Sequence, residues 1–233
     1  MQTKIYGHRG SRGKYPENTI FSMEKAIEEG AVGLEIDVHL TKDNQIVVIH
    51  DEDLKVTTNG NGLIKDLTLA EIKKVDAGSG HQVPTLEEVL QLCKNKGIEL
   101  NIELKTHIIN YSGIEKKVLK IASDFNDVKI IYSAFHYPTI HRIKQLDNSA
   151  TIAFLTEHML PHPEDYINTW GLEALHIDKD VVLKRPEYFA NIYDRLRVWT
   201  VNDANEMKKF FELGIVAVMT DYPDVAAKVR NVR

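Results

Sequence analysis

The chain of 233 residues carries one cysteine, Cys93, so no internal disulfide can form and no secreted, disulfide-framed scaffold is indicated. No apolar run is long enough to span a bilayer. The opening residues, MQTKIYGHRG, contain no apolar signal segment, and the expectation is a cytoplasmic protein without stable membrane insertion. There is no basic excess. The formal net charge is −5, and gripping DNA or RNA needs a strong positive field, so nucleic acid is not expected as a partner. No internal repeat is visible, and nothing specifies an oligomeric state. What is present is a 43% hydrophobic content, enough to bury one substantial core. This length accommodates two ordinary domains or a single α/β barrel.

Short apolar runs alternate with amphipathic stretches. Strands are predicted at 4–8, 33–40, 45–50, 98–105, 128–135, 151–156, 173–178, 195–201 and 216–221. Helices are predicted near 19–29, 68–74, 85–96, 112–124, 138–145, 186–193, 203–213 and 223–230. Asn18 is the expected cap of the first helix, Thr85 and Glu88 read as a capping box, and Gly30, Gly97 and Gly214 stand where helices should stop. Such alternation implies a parallel sheet, open or closed. Nine strands are one more than a (β/α)8 barrel needs. Because 45–50 follows 33–40 after a short polar turn, one of that pair belongs outside the eightfold count. Residues 51 to about 84 are looser, with loops at TTNGNG and DAGSGHQVP and an amphipathic helix in KDLTLAEIKKVD. They read as an insertion at one barrel end, too poor in apolar residues for a core of its own. The expectation is one catalytic domain over 1–233 with this insertion.

Strand side chains alternate between faces. In GLEIDVH, Glu35 and Asp37 share one face; in LNIELK, Asn101, Glu103 and Lys105 share one. In a barrel these would look into the centre near the strand ends where such enzymes keep their sites. Pairing of Glu35 and Glu103 with lysines is the simpler reading for either alone. For three converging carboxylates, a divalent cation is the favoured answer to the repulsion and desolvation. Oxygen ligands without cysteine suit Mg²⁺, Ca²⁺ or Mn²⁺. Of ten histidines, His8 and His50 sit at the same strand ends as these acids, where one can serve as base and the other as acid. Arg9 and Lys105 add a fork and a point charge for phosphate oxygens. Together they suggest metal-assisted attack on a phosphate ester. His39 shares the parity of Glu35 and Asp37 but is expected past the strand end. Asp221 is expected to cap the last helix, Glu17 to steady Arg9 or the metal's surroundings, and Gly7 and Gly10 to let backbone and substrate approach.

In order along the chain, GHRG, PENT, GLEIDVHLTKDNQIVVIHD, TLEEVL, NIELK, YSAF, VWTVND and VMTDYP resemble the glycerophosphodiester phosphodiesterase family, from His8 to about Pro223. The resemblance implies a (β/α)8 TIM barrel of the phosphatidylinositol-specific phospholipase C type, with a small insertion after the second strand. It implies hydrolysis of glycerophosphodiesters to sn-glycerol 3-phosphate and an alcohol, with Mg²⁺ or Ca²⁺. Glu35, Asp37 and Glu103 match the metal ligands, His8 and His50 the catalytic pair, and Arg9 and Lys105 the phosphate-holding residues. Trp199 and Phe135 match aromatic positions lining the glycerol or alcohol pocket. YSAF departs from the family's paired serines at Ala134. Lysophospholipase D-like action on lysophospholipids is the alternative. A binding module that has lost catalysis should lack one of these residues, and all are present.

Overall fold

The computed structural model describes residues 2–231. The elements run β1 (Lys4–His8), α1 (Ile20–Glu28), β2 (Gly33–Leu40), β3 (Ile46–Val48), α2 (Leu69–Ile72), α3 (Leu86–Cys93), β4 (Glu99–Leu104), α4 (Ile114–Ala122), β5 (Ile130–Ala134), α5 (Tyr137–Leu146), β6 (Ile152–Thr156), α6 (Pro163–Trp170), β7 (Ala174–Asp178), α7 (Lys179–Lys184), β8 (Leu196–Trp199), α8 (Ala204–Leu213), β9 (Ala217–Thr220) and α9 (Pro223–Asn231). Strand β3 pairs antiparallel with β2 and stands outside the barrel, so of the two segments it is the one beyond the eightfold count. The other eight strands are parallel, and β1 pairs with both β9 and β2, which closes the ring. The protein is a (β/α)8 barrel.

Period two sorts each strand. Leu34, Ile36 and Val38 of β2 and Leu100, Ile102 and Leu104 of β4 join the main core between sheet and helices. A second cluster of Tyr6, Ile131, Ala153, Ala217 and Met219 packs inside the barrel, where Arg197 lies over the Tyr6 ring. Thr85 and Glu88 form the expected capping box on α3.

Several local expectations give way. The cap of α1 is Thr19, whose side chain accepts from Ser22 N at 3.1 Å, while Asn18 is turned to Asp37. Residues 186–195 form 3₁₀ rather than α-helix. Helices α6 and α7 were not foreseen, although Pro163 in the first turn and the carboxylates Glu164 and Asp165 are start signals. In the insertion, the helix in KDLTLAEIKKVD shrinks to the single turn of α2. The insertion does hold a core: Leu54, Ile64, Ile72, Ala77 and Val83 bury themselves with Val47 and Ile49 from the edge of β3. The apolar residues were too widely spaced in sequence to look like one cluster. Gly7 and Gly10 serve packing rather than substrate: a Cβ on Gly10, at φ +88°, would sit 2.4 Å from Ser22 Oγ, and one on Gly7 would sit 2.8 Å from Ala26.

Candidate active site

The register of the parallel ladder brings the ionisable residues together. His8, at the C-terminal end of β1, stands opposite Glu35, and Asp37 stands opposite Glu103 near the end of β4; Glu35 and Asp37 lie within β2, which runs on past them to pair with β3. One oxygen from each of Glu35, Asp37 and Glu103 lies within 4.8 Å of the others, and all three residues are buried. Lys105, just past β4, lies between them and the second histidine: its Nζ is 3.0 Å from Glu103 Oε1, 3.6 Å from Asp37 Oδ1 and 3.0 Å from His50 Nε2. Arg9 donates from Nη1 to Glu17 Oε1 at 2.9 Å and holds Nε 3.2 Å from Asp37 Oδ2. Glu17 therefore steadies Arg9. A cavity of about 320 Å³ opens over this cluster. His8, Arg9, Glu35, His50, Glu103, Lys105, Phe135 and Trp199 line it, and Asp37 lies beneath. Phe135 and Trp199 meet edge to face at 5.6 Å and form its aromatic wall. A roomier groove of about 700 Å³ beside Ile20, Thr85 and Gln91 lies on the outer face and holds none of these buried charges.

The three carboxylates are not equivalent. Burial pushes Glu35 well above the usual carboxylate range, and the charges of Asp37 and Glu103 add to the push. Burial also raises Glu103, outweighing the nearby Lys105. Burial acts on Asp37 too, but Lys105, Arg9, His50 and the Asn18 amide together hold it well below its ordinary value. Lys105 stays charged despite burial because Glu103 and Asp37 flank it. Lys105 and Arg9 offset only part of the negative charge of the three carboxylates, and Glu35 Oε1 is buried without a hydrogen-bond partner. An all-oxygen donor set with an unsatisfied, desolvated carboxylate fits a hard divalent cation.

Nδ1 of His8 lies 2.6 Å from Asp221 Oδ1. A carboxylate only accepts, so Nδ1 carries the proton and Nε2, 3.9 Å from Glu35 Oε2, presents its lone pair to the site. Asn202 donates to the other oxygen of Asp221 at 2.8 Å. Asp221 is therefore the partner of His8, which corrects its assignment as a helix cap; its place at a strand's C-terminal end was the available signal. Burial lowers His8 below its ordinary value against the pull of Asp221. Burial also lowers His50, with Lys105 and Arg9 adding to the effect and Asp37 opposing it. His39 lies inside β2, not past it, fully buried, with burial pulling it down to about 4. Ala134 faces the outer core, so the departure at YSAF leaves the cavity untouched. Asn101, on the polar face it shares with Glu103 and Lys105, lines the cavity too, and so do Arg12, His107 and Glu157, to which the sequence assigned no role.

Buried acids that fit a hard cation, two histidines, an arginine and a lysine, set together in the mouth of a (β/α)8 barrel, mark the class: a phosphate-ester hydrolase. Residues 8–225 match the model of the Glycerophosphoryl diester phosphodiesterase family, and the chain belongs to that family. It is 38% identical to a glycerophosphodiester phosphodiesterase of Bacillus altitudinis, with 98% of each chain covered. It is 36% identical to one from Caldanaerobacter subterraneus subsp. tengcongensis, with 96% of each covered. A phosphodiesterase of Oleispira antarctica, solved with the product sn-glycerol-3-phosphate, superposes with a TM-score of 0.87 at 29% identity, covering 98% of this chain and 96% of that one. The chain is a phosphoric diester hydrolase. Among the described residues no helix is long and apolar enough to cross a membrane.

Proposed function

We propose that the enzyme hydrolyses glycerophosphodiesters such as glycerophosphocholine and glycerophosphoethanolamine to sn-glycerol 3-phosphate and an alcohol, using a divalent cation, Mg²⁺ or Ca²⁺. The observation that carries this is the convergence of Glu35, Asp37 and Glu103 between His8 and Lys105 at one barrel mouth. The product found in the Oleispira relative supports the substrate class. Glu35, Asp37 and Glu103 would hold the cation, which when bound supplies positive charge that polarises the phosphoryl group.

The chain's own groups divide the remaining work. Arg9 and Lys105 bind the phosphate oxygens. His8, with its proton on Nδ1 fixed by Asp221, takes the proton of the attacking oxygen on Nε2, and the Asp221 carboxylate stabilises the imidazolium that forms. The attacking oxygen is a water, or the glycerol 2-hydroxyl, which proximity favours; the second route expels the alcohol to leave a cyclic phosphate that a water then opens to glycerol 3-phosphate, with the two histidines exchanging roles. His50 gives a proton to the departing alcohol. In the substrate-free site its Nε2 accepts from Lys105, and the incoming phosphate anion adds the negative charge that favours a proton there. Phe135 and Trp199 pack against the carbon skeleton of the substrate.

Release of glycerol 3-phosphate from glycerophosphocholine and glycerophosphoethanolamine, with Mg²⁺ or Ca²⁺ and again with EDTA, tests this reading. Release that EDTA abolishes is expected; no release from either diester under metal-replete conditions would overturn it. Release of choline from lysophosphatidylcholine under the same conditions tests the alternative, because that cleavage leaves lysophosphatidic acid rather than glycerol 3-phosphate. Ile108, 68% exposed, follows His107 of the cavity lining in the chain.

A further inference from the structure

His50 lies two positions beyond β3, where the strand ladder has ended. Its neighbours are tied down: Ile49 N donates to Asp37 O at 3.0 Å, and Ile64 N donates to Glu52 O at 2.9 Å. The carbonyl of His50 itself is held by a side chain. His39 Nε2 lies 3.0 Å from it. The other ring nitrogen, Nδ1, lies 2.9 Å from the hydroxyl of Tyr111, and the two rings meet edge to face at 5.6 Å. A carbonyl can only accept, so Nε2 carries the proton, and Nδ1 takes the tyrosine O–H. His39 is fully buried and Tyr111 is 5% exposed, so each of these bonds is shielded from competing water.

The arrangement joins three segments that each carry part of the site. His39 belongs to β2, which bears Glu35 and Asp37. Its Nε2 reaches the backbone of His50. Tyr111 belongs to the β4–α4 loop, which begins at Lys105, and Lys105 Nζ returns to the His50 imidazole at 3.0 Å. The segment of His50 is thus gripped at the backbone by His39 and at the ring by Lys105.

We propose that His39 and Tyr111 are a positioning pair for His50, fixing the peptide from which its imidazole reaches the departing alcohol. Neither lines the cavity, so neither touches substrate. The proposal rests on the role given to His50 above, and its test separates the two.

Two substrates are compared: glycerophosphocholine, whose alcohol needs a proton to leave, and the p-nitrophenyl ester of glycerol phosphate, whose leaving group does not. His50→Ala sets the reference and is expected to lose turnover of the first far more than of the second. His39→Leu is expected to lower kcat on glycerophosphocholine roughly 10–100-fold, in the range for residues that orient a site from behind, while sparing the nitrophenyl ester as His50→Ala does. KM should move by less than about threefold, the pattern of an interaction expressed in the transition state. Tyr111→Phe should shift the substrate ratio in the same direction by less. His39→Gln should restore it, because a carboxamide can donate to the carbonyl and accept from the phenol. Unchanged activity in His39→Leu would overturn the proposal, and so would equal loss on both substrates while His50→Ala discriminates. If His50→Ala itself loses both substrates equally, the acid role of His50 fails. The pair is then upheld only if His39→Leu matches the ratio of His50→Ala and His39→Gln reverses the loss. Should His39→Leu fail to fold, Tyr111→Phe and His39→Gln decide the matter by the same ratio.

Discussion

His8 owes its proposed chemistry to Asp221, whose carboxylate accepts the hydrogen bond from Nδ1–H and so leaves the Nε2 lone pair free. Asp221→Asn keeps the shape but can offer its amide N–H to Nδ1, which would favour the wrong tautomer. kcat/KM should fall by about 100-fold or more, within the span expected for disrupting general base catalysis, and steady-state kinetics on glycerophosphocholine measures it. Near-native turnover would remove Asp221 from the mechanism. His8→Ala and His50→Ala should each lower turnover by at least about 100-fold with metal present. A variant that keeps full activity would show that its histidine moves no proton. Glu103→Gln should weaken binding of Mg²⁺ or Ca²⁺ measured by calorimetry, since an amide oxygen replaces a charged one in an all-oxygen set.

Helix α3 and the insertion illustrate how single elements are held. Thr85 accepts from Glu88 N at 3.2 Å while the Glu88 carboxylate accepts from Thr85 N at 2.7 Å. Thr85→Ala should cost about 1 kcal/mol. In thermal unfolding that corresponds to a drop of about 2–4 °C for a chain of this size. The insertion's cluster around Leu54, Ile64 and Ile72 is separate from the barrel core, so its stability should be separable too. Ile72→Ala, at a fully buried site, should cost about 2–5 kcal/mol. Amide exchange should then quicken across residues 49–84 while β1, β2 and β4 keep their protection. Uniform quickening throughout the barrel would mean that the two clusters unfold as one.

The closed barrel also confines charge. His176 is fully buried next to Arg197, whose guanidinium pairs with Glu173. Burial, then Arg197, push His176 well below its ordinary value. In the unfolded chain it returns to about 6.5, so below that pH the unfolded state binds a proton that the folded state refuses. Stability therefore falls as pH drops below about 6.5, by up to about 1.4 kcal/mol per unit from this residue. His176→Leu should lose less Tm between pH 7 and pH 5 than the wild type, because that linkage is gone. An identical loss would show that His176 does not set the acid limb of stability.

The strand pattern was legible in the chain itself because face selection is local: a period of two places Glu35, Asp37 and Glu103 on one side whatever the rest of the fold does. The short polar turn between 33–40 and 45–50 marked one of that pair as surplus to the eight, and the antiparallel pairing of β3 with β2 decided which. Family motifs spaced through the chain supplied the barrel and the roles for His8, His50, Arg9 and Lys105. Helix ends were less legible: Asn18 has a good cap's chemistry, yet Thr19 caps α1 because the Asn18 amide is drawn to the buried charge of Asp37. Closure was beyond local reading. His8 and Asp221 are 213 residues apart, and His39 and Tyr111 are 72 apart. They meet because β1 pairs with β9 and because the loop after β4 returns over β2. A residue's face follows from its own strand's pleat, whereas its partner is set by the register between strands and the path of the loops. Those depend on how the whole ring closes.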